Sequence, residues 1–266
     1  MTATIAALVA VAFAAGLVDA IAGGGGLLTL PALLTAGLAP QAALATNKGQ
    51  SVFGSFAALL RYARGGLVAR ERAQVAFPAG FVGSLLGGLL LLALDPKVLK
   101  PLVLVLLVGA GLFVAFRPQP RRATSGASPT GPREAGSETQ HAPVKRPALV
   151  TALIASGIGF YDGFFGPGTG TFLIVAFVAV LGDELTRATA EAKVVNFASN
   201  LAAVTLFGLR GLIVWQIALP MAAAQFVGGL VGAQLAMKSG GPLIRRMVLL
   251  VVVALVAKLG WDLLHG

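Results

Sequence analysis

Long apolar runs alternate with short polar loops along this chain. A helix needs about 20 apolar residues to cross a bilayer. Eight runs approach or reach that length, and they cover residues 4–22, 42–60, 73–94, 101–116, 148–165, 188–207, 213–236 and 247–264. Two shorter runs, 27–38 and 171–182, each follow a glycine cluster. The pattern predicts an all-α polytopic membrane protein with about eight long transmembrane helices and two half or re-entrant helices.

Residues 117–147 interrupt this pattern. The segment is rich in Pro, Gly, Ser and Thr and has almost no large apolar side chains. Such a composition cannot bury enough surface to offset the entropy lost on ordering, so it indicates a flexible linker. We therefore predict a first transmembrane repeat over 1–116, a linker over 117–147 and a second transmembrane repeat over 148–266.

The two apolar halves resemble each other. The segment Gly16–Asp19 aligns with Gly159–Asp162 at an offset of 143 residues. After an insertion of two residues, Lys48 aligns with Lys193 at an offset of 145. An intramembrane Asp, a glycine pair and an intramembrane Lys recurring in order predict an internal duplication, which is the usual build of a secondary transporter.

Composition and charge agree with a membrane location. The chain is 57% hydrophobic and 11% charged, which excludes an ordinary soluble enzyme or a disordered protein. Its net charge of +10 does not indicate nucleic-acid binding, because six of the 20 Lys and Arg lie within 117–146 and four within 61–72. Basic loops between apolar runs are typical of a multi-pass protein of the inner (plasma) membrane.

Loop charge also predicts the orientation. The positive-inside rule places the Arg61–Arg72 loop and the linker in the cytoplasm and residues 95–100 outside. If residues 171–182 return the chain to the cytoplasm, Lys238–Arg246 lies inside, Arg210 lies outside and the repeats are inverted. If each glycine cluster instead interrupts a single crossing, the repeats are parallel. The charge rule favours the inverted arrangement.

The chain offers little catalytic or metal-binding chemistry. It has no cysteine and only two histidines, His141 in the linker and His265 near the C-terminus. A Cys- or His-based metal site and a Cys nucleophile are therefore not expected. We predict that the protein is not an enzyme and carries no cofactor.

The glycine clusters are the first candidate binding elements. Adjacent glycines cost a helix roughly 1 kcal/mol each relative to alanine, so the helix is expected to break there. The break frees N–H groups, and the next helix begins with a partial positive charge that favours anions. The candidate ligands are Gly24, Gly25, Gly26, Gly168, Thr169 and Gly170. The alternative is that glycines permit close packing, which is the interpretation we prefer for Gly83, Gly87, Gly228 and Gly232.

Lys48 and Lys193 are the second candidates, because each lies near the start of an apolar helix. A charge within the bilayer is costly and therefore typical of a functional site, although lysine near a helix end can also reach the headgroups. Polar side chains that can donate to an anion accompany both lysines, and these are Asn47, Gln50, Ser51, Asn196 and Asn200.

Asp19 and Asp162 are the third candidates. Each lies four residues before a glycine cluster, at the C-terminal end of a helix, where a negative charge is unfavourable. Either an ion pair with Lys48 or Lys193, or transient protonation that lets the carboxylate carry a proton, would compensate. Glu191 either acts beside Lys193 or begins a helix in solvent.

These motifs resemble the sulfite exporter TauE/SafE family, also called the 4-toluene sulfonate uptake permease family. The resemblance rests on GLVDAIAGGGGLLTLPALLTAGLAPQAALATNKGQSVFGS in the first half and on GFYDGFFGPGTGTF and AEAKVVNFASNLAA in the second. It implies an inner-membrane transporter, and more specifically an exporter, of small organosulfur or related anions such as sulfite, sulfoacetate or sulfonates. The second half departs from the first, because Pro167 interrupts its glycine cluster and no proline matches Pro31.

Two alternatives stay open at this point. An anion channel would differ in rate and coupling, and a membrane-embedded enzyme of sulfur metabolism would need a nucleophile or metal set that the sequence does not supply. The expected partners are a small anionic substrate and membrane lipid, with no nucleic acid; a homodimer is left open.

Overall fold

The computed structural model describes residues 2–116 and 146–265, and within these ranges every regular element is an α-helix. The first half contains α1 (Thr2–Ala22), α2 (Gly26–Thr35), α3 (Pro40–Arg64), α4 (Arg70–Ala93) and α5 (Pro96–Phe116). The second half contains α6 (Pro147–Phe164), α7 (Thr169–Leu181), α8 (Leu185–Leu209) and α9 (Trp215–His265).

These helices reproduce the predicted apolar runs. The short helices α2 and α7 follow the two glycine clusters. The last two runs form two helices that meet at the non-helical Gly240 (φ 63°, ψ −158°), and the label α9 covers both. Five of the described helices are long and apolar enough to cross a membrane: α1, α4, α6, α8 and α9 as far as Gly240. The all-α polytopic fold is confirmed, whereas the count of eight spans stays a prediction, and residues 117–145 of the predicted linker lie outside the described residues.

Each short helix doubles back along the helix before it. Gly25 lies against Ala15 and Asp19 of α1, and Thr35 lines the same groove as Thr4. In the second half the rings of Tyr161 and Phe172 lie 5.2 Å apart. Each short helix therefore forms a hairpin with the helix before it, and the turn of each hairpin is formed by a glycine cluster.

The central helices α3 and α8 run antiparallel. At one end the N–H of Ala69, just before α4, donates to Glu191 of α8. At the other end the N–H of Val214, just before α9, donates to Thr46 of α3. We name these two ends of the bundle the Arg72 face, which carries the loop between α3 and α4, and the Val214 face, which carries the loop between α8 and α9.

Glycines form the seams between the remaining helices. On α4, Gly83 and Gly87 lie against the backbone carbonyls of Ser156 and Phe160 of α6, so close that an added Cβ would overlap them. On α9, Gly228 and Gly232 lie in the same way against the carbonyls of Phe13 and Leu17 of α1. These contacts recur at the offsets of 143 and 145 by which the two sequence halves align. The four glycines thus allow close backbone approach, as expected of small residues in membranes.

The distribution of side chains is that of a membrane protein. Large apolar side chains are exposed on the outer surfaces of the helices, for example Phe56, Leu86, Leu153 and Leu219. The polar side chains are instead buried in the centre, mostly on α3 and α8. A lipid-facing apolar exterior around a polar centre places any binding chemistry between these two helices.

Candidate functional site

The two glycine turns meet at the centre of the bundle. Gly23, with φ +78°, lies directly against the backbone of Gly170 and Thr171, and a Cβ at Gly23 would overlap that backbone. Gly166, with φ +97°, faces Lys48, whose Nζ would lie 2.8 Å from an added Cβ. Both positions combine a left-handed conformation with a close approach, so glycine is required at each.

Two ion pairs cross between the halves at these turns. Lys48 of α3 lies with its Nζ 2.6 Å from Oδ1 of Asp162 in α6. Lys193 of α8 lies with its Nζ 2.8 Å from Oδ2 of Asp19 in α1. The lysine of each half is therefore neutralised by the carboxylate of the other half.

The helix ends complete the neutralisation. Asp19 and Asp162 lie at the C-terminal ends of α1 and α6, where the helix dipole disfavours a negative charge. The N-terminal ends of the short helices supply the compensation: the Gly25 N–H lies 3.4 Å from Asp19 Oδ1, and the Thr169 hydroxyl donates to Asp162 Oδ1 over 2.8 Å. In this conformation the N-terminal ends of α2 and α7 thus donate to the protein's own carboxylates.

The two carboxylates differ in how many donors hold them. Asp162 also accepts a hydrogen bond from the Ser199 hydroxyl, so three side chains donate to it. Its side chain is 5% exposed, and that of Lys48 is 3% exposed. Asp19 is 18% exposed, whereas its partner Lys193 is 0% exposed. Both members of the Lys48–Asp162 pair are thus buried, whereas in the Lys193–Asp19 pair the lysine is buried and the carboxylate is partly exposed.

A small polar cavity of about 30 Å³ lies between the pairs. Its lining comes from both turns and from α3 and α8: Asp19, Gly23, Gly26, Asn47, Lys48, Ser51, Asp162, Gly166, Gly168, Thr169, Gly170, Asn196 and Asn200. A volume of this size has room for a few water molecules at most. The cavity in this conformation is therefore too small to hold an organic anion.

Most of the predicted site residues line this cavity. Lys193, Gln50, Gly24 and Gly25 are not among its lining residues. Gln50 donates to Asn47 Oδ1 over 3.0 Å and so supports a residue that does line the cavity. The structure thus brings Lys48 to the cavity but holds Lys193 behind Asp19.

Sequence reasoning missed four residues of the site. Gly23 and Gly166 line the cavity, Thr29 donates to Asn47 Oδ1 over 2.5 Å, and Ser199 donates to Asp162. Ser199 lies three residues after Asn196, on the same helix face, so helical spacing offered a signal for it. Nothing in the sequence connects Thr29 with Asn47, because they meet only once α2 has folded back.

Glu191 does not begin α8 in solvent. It is 0% exposed, and its Oε1 accepts the Ala69 N–H over 2.8 Å. A partly exposed ion pair lies at the same end of the bundle, where Arg72 Nη1 is 2.5 Å from Asp183 Oδ2. Among the described residues no group of three or more His, Cys, Asp and Glu is placed to hold a metal ion.

A polytopic helical protein with two helical hairpins whose turns meet around a small polar cavity has the architecture of a membrane transporter. The chain belongs to the sulfite exporter TauE/SafE family, whose model matches residues 8–259. The relatives named below are described as probable membrane transporters, so the comparisons point to transport and not to an enzyme.

The similarity extends over nearly the whole of each relative. The chain is 39% identical to the probable membrane transporter protein YfcA of Escherichia coli strain K12 over 257 residues, which is 96% of this chain and 89% of the relative. It is 38% identical to the probable membrane transporter protein ORF9 of Sinorhizobium sp, covering 98% of this chain and 94% of the relative. A probable membrane transporter protein of Haemophilus influenzae is also 38% identical, with 97% and 95% covered. No solved structure gave a significant match.

Proposed function

We propose that the protein is a secondary transporter that exports small organosulfur or related anions, such as sulfite, sulfoacetate or sulfonates, across the inner membrane. The observation that carries this proposal is the crossed pair of lysine–aspartate contacts around one small polar cavity. The substrate class follows the family's description as sulfite exporters. A buried lysine that is held by a movable carboxylate can exchange that carboxylate for an anionic substrate.

Lys48 is the principal anion ligand in this proposal. It lines the cavity, and among the described residues its Nζ donates to one acceptor, Asp162. Ser51, Asn196 and Asn200 lie around the same cavity and can donate to anion oxygens. Lys193 is assigned a supporting role, because Asp19 separates it from the cavity.

Charge balance argues for coupling to a proton. Two lysines and two aspartates make the site neutral, so an entering anion adds an unbalanced negative charge in a medium where that is costly. Asp19 is the carboxylate that takes up a proton in this scheme, because it reaches the cavity and its donor besides Lys193 is an N–H at 3.4 Å. The loaded site is then neutral again.

Inverted repeats would supply the conformational change. Contacts recur at the alignment offsets, and α3 runs antiparallel to its counterpart α8. Two repeats of opposite orientation can exchange conformations and so expose one central site to each side in turn.

The Arg72 face is cytoplasmic in this proposal, as the loop arginines favour. Accessibility tags at residues 66 and 130 should therefore be cytoplasmic and a tag at 97 external; residue 130 found outside would overturn this orientation.

The direct test measures anion binding to purified variants at position 48. Lys48→Ala removes a charge-assisted hydrogen bond, worth about 1.5–3 kcal/mol, so affinity for sulfite, sulfoacetate or taurine should fall at least about tenfold. Lys48→Arg should also weaken binding, because a planar guanidinium cannot replace a compact ammonium in so small a cavity. Counterflow of the same labelled compounds in proteoliposomes identifies which of them is carried.

The matched control is Arg64→Ala, which removes an exposed cation from the far end of the same helix. It should bind and carry the substrate as the parent protein does. Near-parental affinity in both Lys48 variants would refute the site assignment. Failure of every tested anion in counterflow, with folded protein, would refute the substrate class.

A further inference from the structure

Glu191 is a buried carboxylate that the proposed transport site does not use. It lies on the second turn of α8, is 0% exposed and accepts one hydrogen bond, from the Ala69 N–H at the start of α4. Its second oxygen, Oε2, has no hydrogen-bond partner among the described residues. A buried carboxylate with one unsatisfied oxygen is costly while charged, and a proton on that oxygen would remove much of the cost.

The opposite face contains the equivalent contact with different chemistry. There the Val214 N–H, at the start of α9, donates over 3.1 Å to the Thr46 hydroxyl of α3. Thr46 and Glu191 are related by the offset of 145 residues that also relates Lys48 to Lys193, and the same offset relates Ala69 to Val214. Each contact fastens a central helix to the loop that closes its face. The contact on the Arg72 face therefore contains a titratable carboxyl group, whereas the contact on the Val214 face contains only a hydroxyl.

Charged side chains of both signs surround Glu191. Among the described residues, Arg72 of α4 and Arg187 of α8 attract its charged form, and Asp183 opposes it. Arg72 forms an ion pair with Asp183, and Lys193 forms one with Asp19. In the described part of the chain, no lysine or arginine forms a salt bridge with Glu191. When Glu191 is charged, its bond to Ala69 is charge-assisted and strong; when it is protonated, that bond becomes an ordinary neutral one.

We propose that Glu191 is a proton-binding site, separate from the central cavity, which releases the Arg72 face when it is occupied. The proton comes from water at that face and binds Oε2, and the weakened bond to Ala69 lets α8 part from the loop between α3 and α4. The inference rests on the proposed transport function, since it assigns the control of one of the two entrances to the same cavity. It makes opening depend on pH at one face only.

The test uses a single reporter thiol, because the natural chain has no cysteine. Ser51→Cys places a thiol of similar size on the cavity wall. Oriented vesicles are treated with a membrane-impermeant thiol reagent from either face, and the ratio of the two labelling rates is taken at each pH, which cancels the thiol's own titration. Between pH 8 and pH 5 we expect the Arg72-face to Val214-face ratio to rise about tenfold, since a charge-assisted hydrogen bond is roughly twice as strong as a neutral one.

Three further variants in the reporter background locate the effect. Glu191→Gln should give a ratio that is high and independent of pH. Ala69→Pro removes the donor at a position whose φ of −82° proline adopts, and it should give the same result with the carboxylate intact. Thr46→Val, the matched control on the other face, should raise labelling from the Val214 face and leave the pH response of the Arg72 face unchanged.

The inference is overturned if the ratio in the Ser51→Cys reporter is independent of pH, or if its pH response survives in Glu191→Gln or Ala69→Pro. Protein that elutes as a single folded species qualifies each variant for the comparison, and either of the two Arg72-face variants suffices. Labelling needs no substrate. A pH response that depends on Glu191 without any anion transport would therefore refute only the proposed function. Anion transport with a labelling ratio that does not change with pH would refute only this inference.

Discussion

The two central ion pairs contain the same residue types and are embedded in opposite ways. In the pair of Lys48 and Asp162, the carboxylate is held by three donors and both side chains line the cavity. In the pair of Lys193 and Asp19, the carboxylate lines the cavity and the lysine is fully buried behind it. The single cavity is thus lined by one lysine and two aspartates, of which Lys48 and Asp19 come from the first half of the chain and Asp162 from the second.

The difference has a specific origin in the sequence. The two hydroxyls that hold Asp162 belong to Thr169 and Ser199. The positions aligned with them in the first half are Gly26 and Gly54, which carry no donor. Gly54 cannot gain one easily, because an added Cβ would lie 2.6 Å from the Gln225 side chain. Asp19 therefore lacks the two hydroxyl donors that hold Asp162.

The largest expected effect is a difference in stability between the variants that remove the charge of Asp19 and of Asp162. Asp19→Asn leaves Lys193 buried without a counter-charge and without access to the cavity, which should cost about 3–5 kcal/mol of stability. Asp162→Asn leaves Lys48 beside a cavity that can hold water, so the cost should be only about 1–3 kcal/mol. Reversible unfolding of the two variants in detergent measures both.

Lys193→Met combined with Asp19→Asn should recover much of the lost stability, because the buried charge is then removed altogether. If Asp162→Asn is instead the more destabilising change, the number of donors around the carboxylate decides stability, and access of the lysine to water does not.

The second prediction concerns where the two halves should behave alike. Gly87→Ala and Gly232→Ala place a methyl group against the carbonyls of Phe160 and Leu17, which are aligned positions. Both should destabilise the protein by similar amounts, about 1–3 kcal/mol, because two helices must separate to admit the methyl group. Unfolding of each variant in detergent measures the effect.

Gly157→Ala is the matched control, because nothing lies within 4 Å of an added Cβ at this helical position. It should be neutral or stabilising, since alanine favours a helix by up to about 1 kcal/mol over glycine. Strongly unequal effects at 87 and 232 would mean that the seams of the two halves are not equivalent.

A third, smaller effect should make the Lys48–Asp162 pair resemble the Lys193–Asp19 pair. Ser199→Ala and Thr169→Ala each remove one hydroxyl from Asp162, at an expected cost of about 1 kcal/mol per hydrogen bond. Anion affinity should rise, because a less firmly held carboxylate leaves Lys48 more readily. Unchanged affinity alongside the lost stability would show that Asp162 does not compete with the substrate.

Local patterns predicted more of this molecule than its long-range contacts. Apolar run lengths gave the helices, and glycine clusters gave the hairpin turns, because both act through the local chain. The sequence also singled out Lys48, Lys193, Asp19 and Asp162, since charges in an apolar helix need compensation. It could not assign the partners, which lie 114 and 174 residues apart and meet only after the halves have packed.

The burial of Glu191 was unpredictable for the same reason. A polar residue in the second turn of a helix is ordinarily solvated, and the loop before α4 that covers it lies 122 residues away in sequence. Thr29 escaped notice because α2 carries it to Asn47 only by folding back along α1.

The smallest expected effect tests whether the two halves need their covalent connection. The four residues of the crossed ion pairs all lie outside 117–147, as do the glycine seams between α4 and α6 and between α1 and α9. The composition of 117–147 offers no apolar surface for a core. Replacing residues 121–142 by a Gly/Ser spacer of equal length should therefore leave expression, stability and transport near those of the parent, within about 0.5 kcal/mol for a substitution away from packed features. The comparison is made by detergent unfolding and by proteoliposome counterflow on the same preparations. Loss of folded protein would show that this segment packs against the helices, and that contacts between the halves are not sufficient to assemble the site.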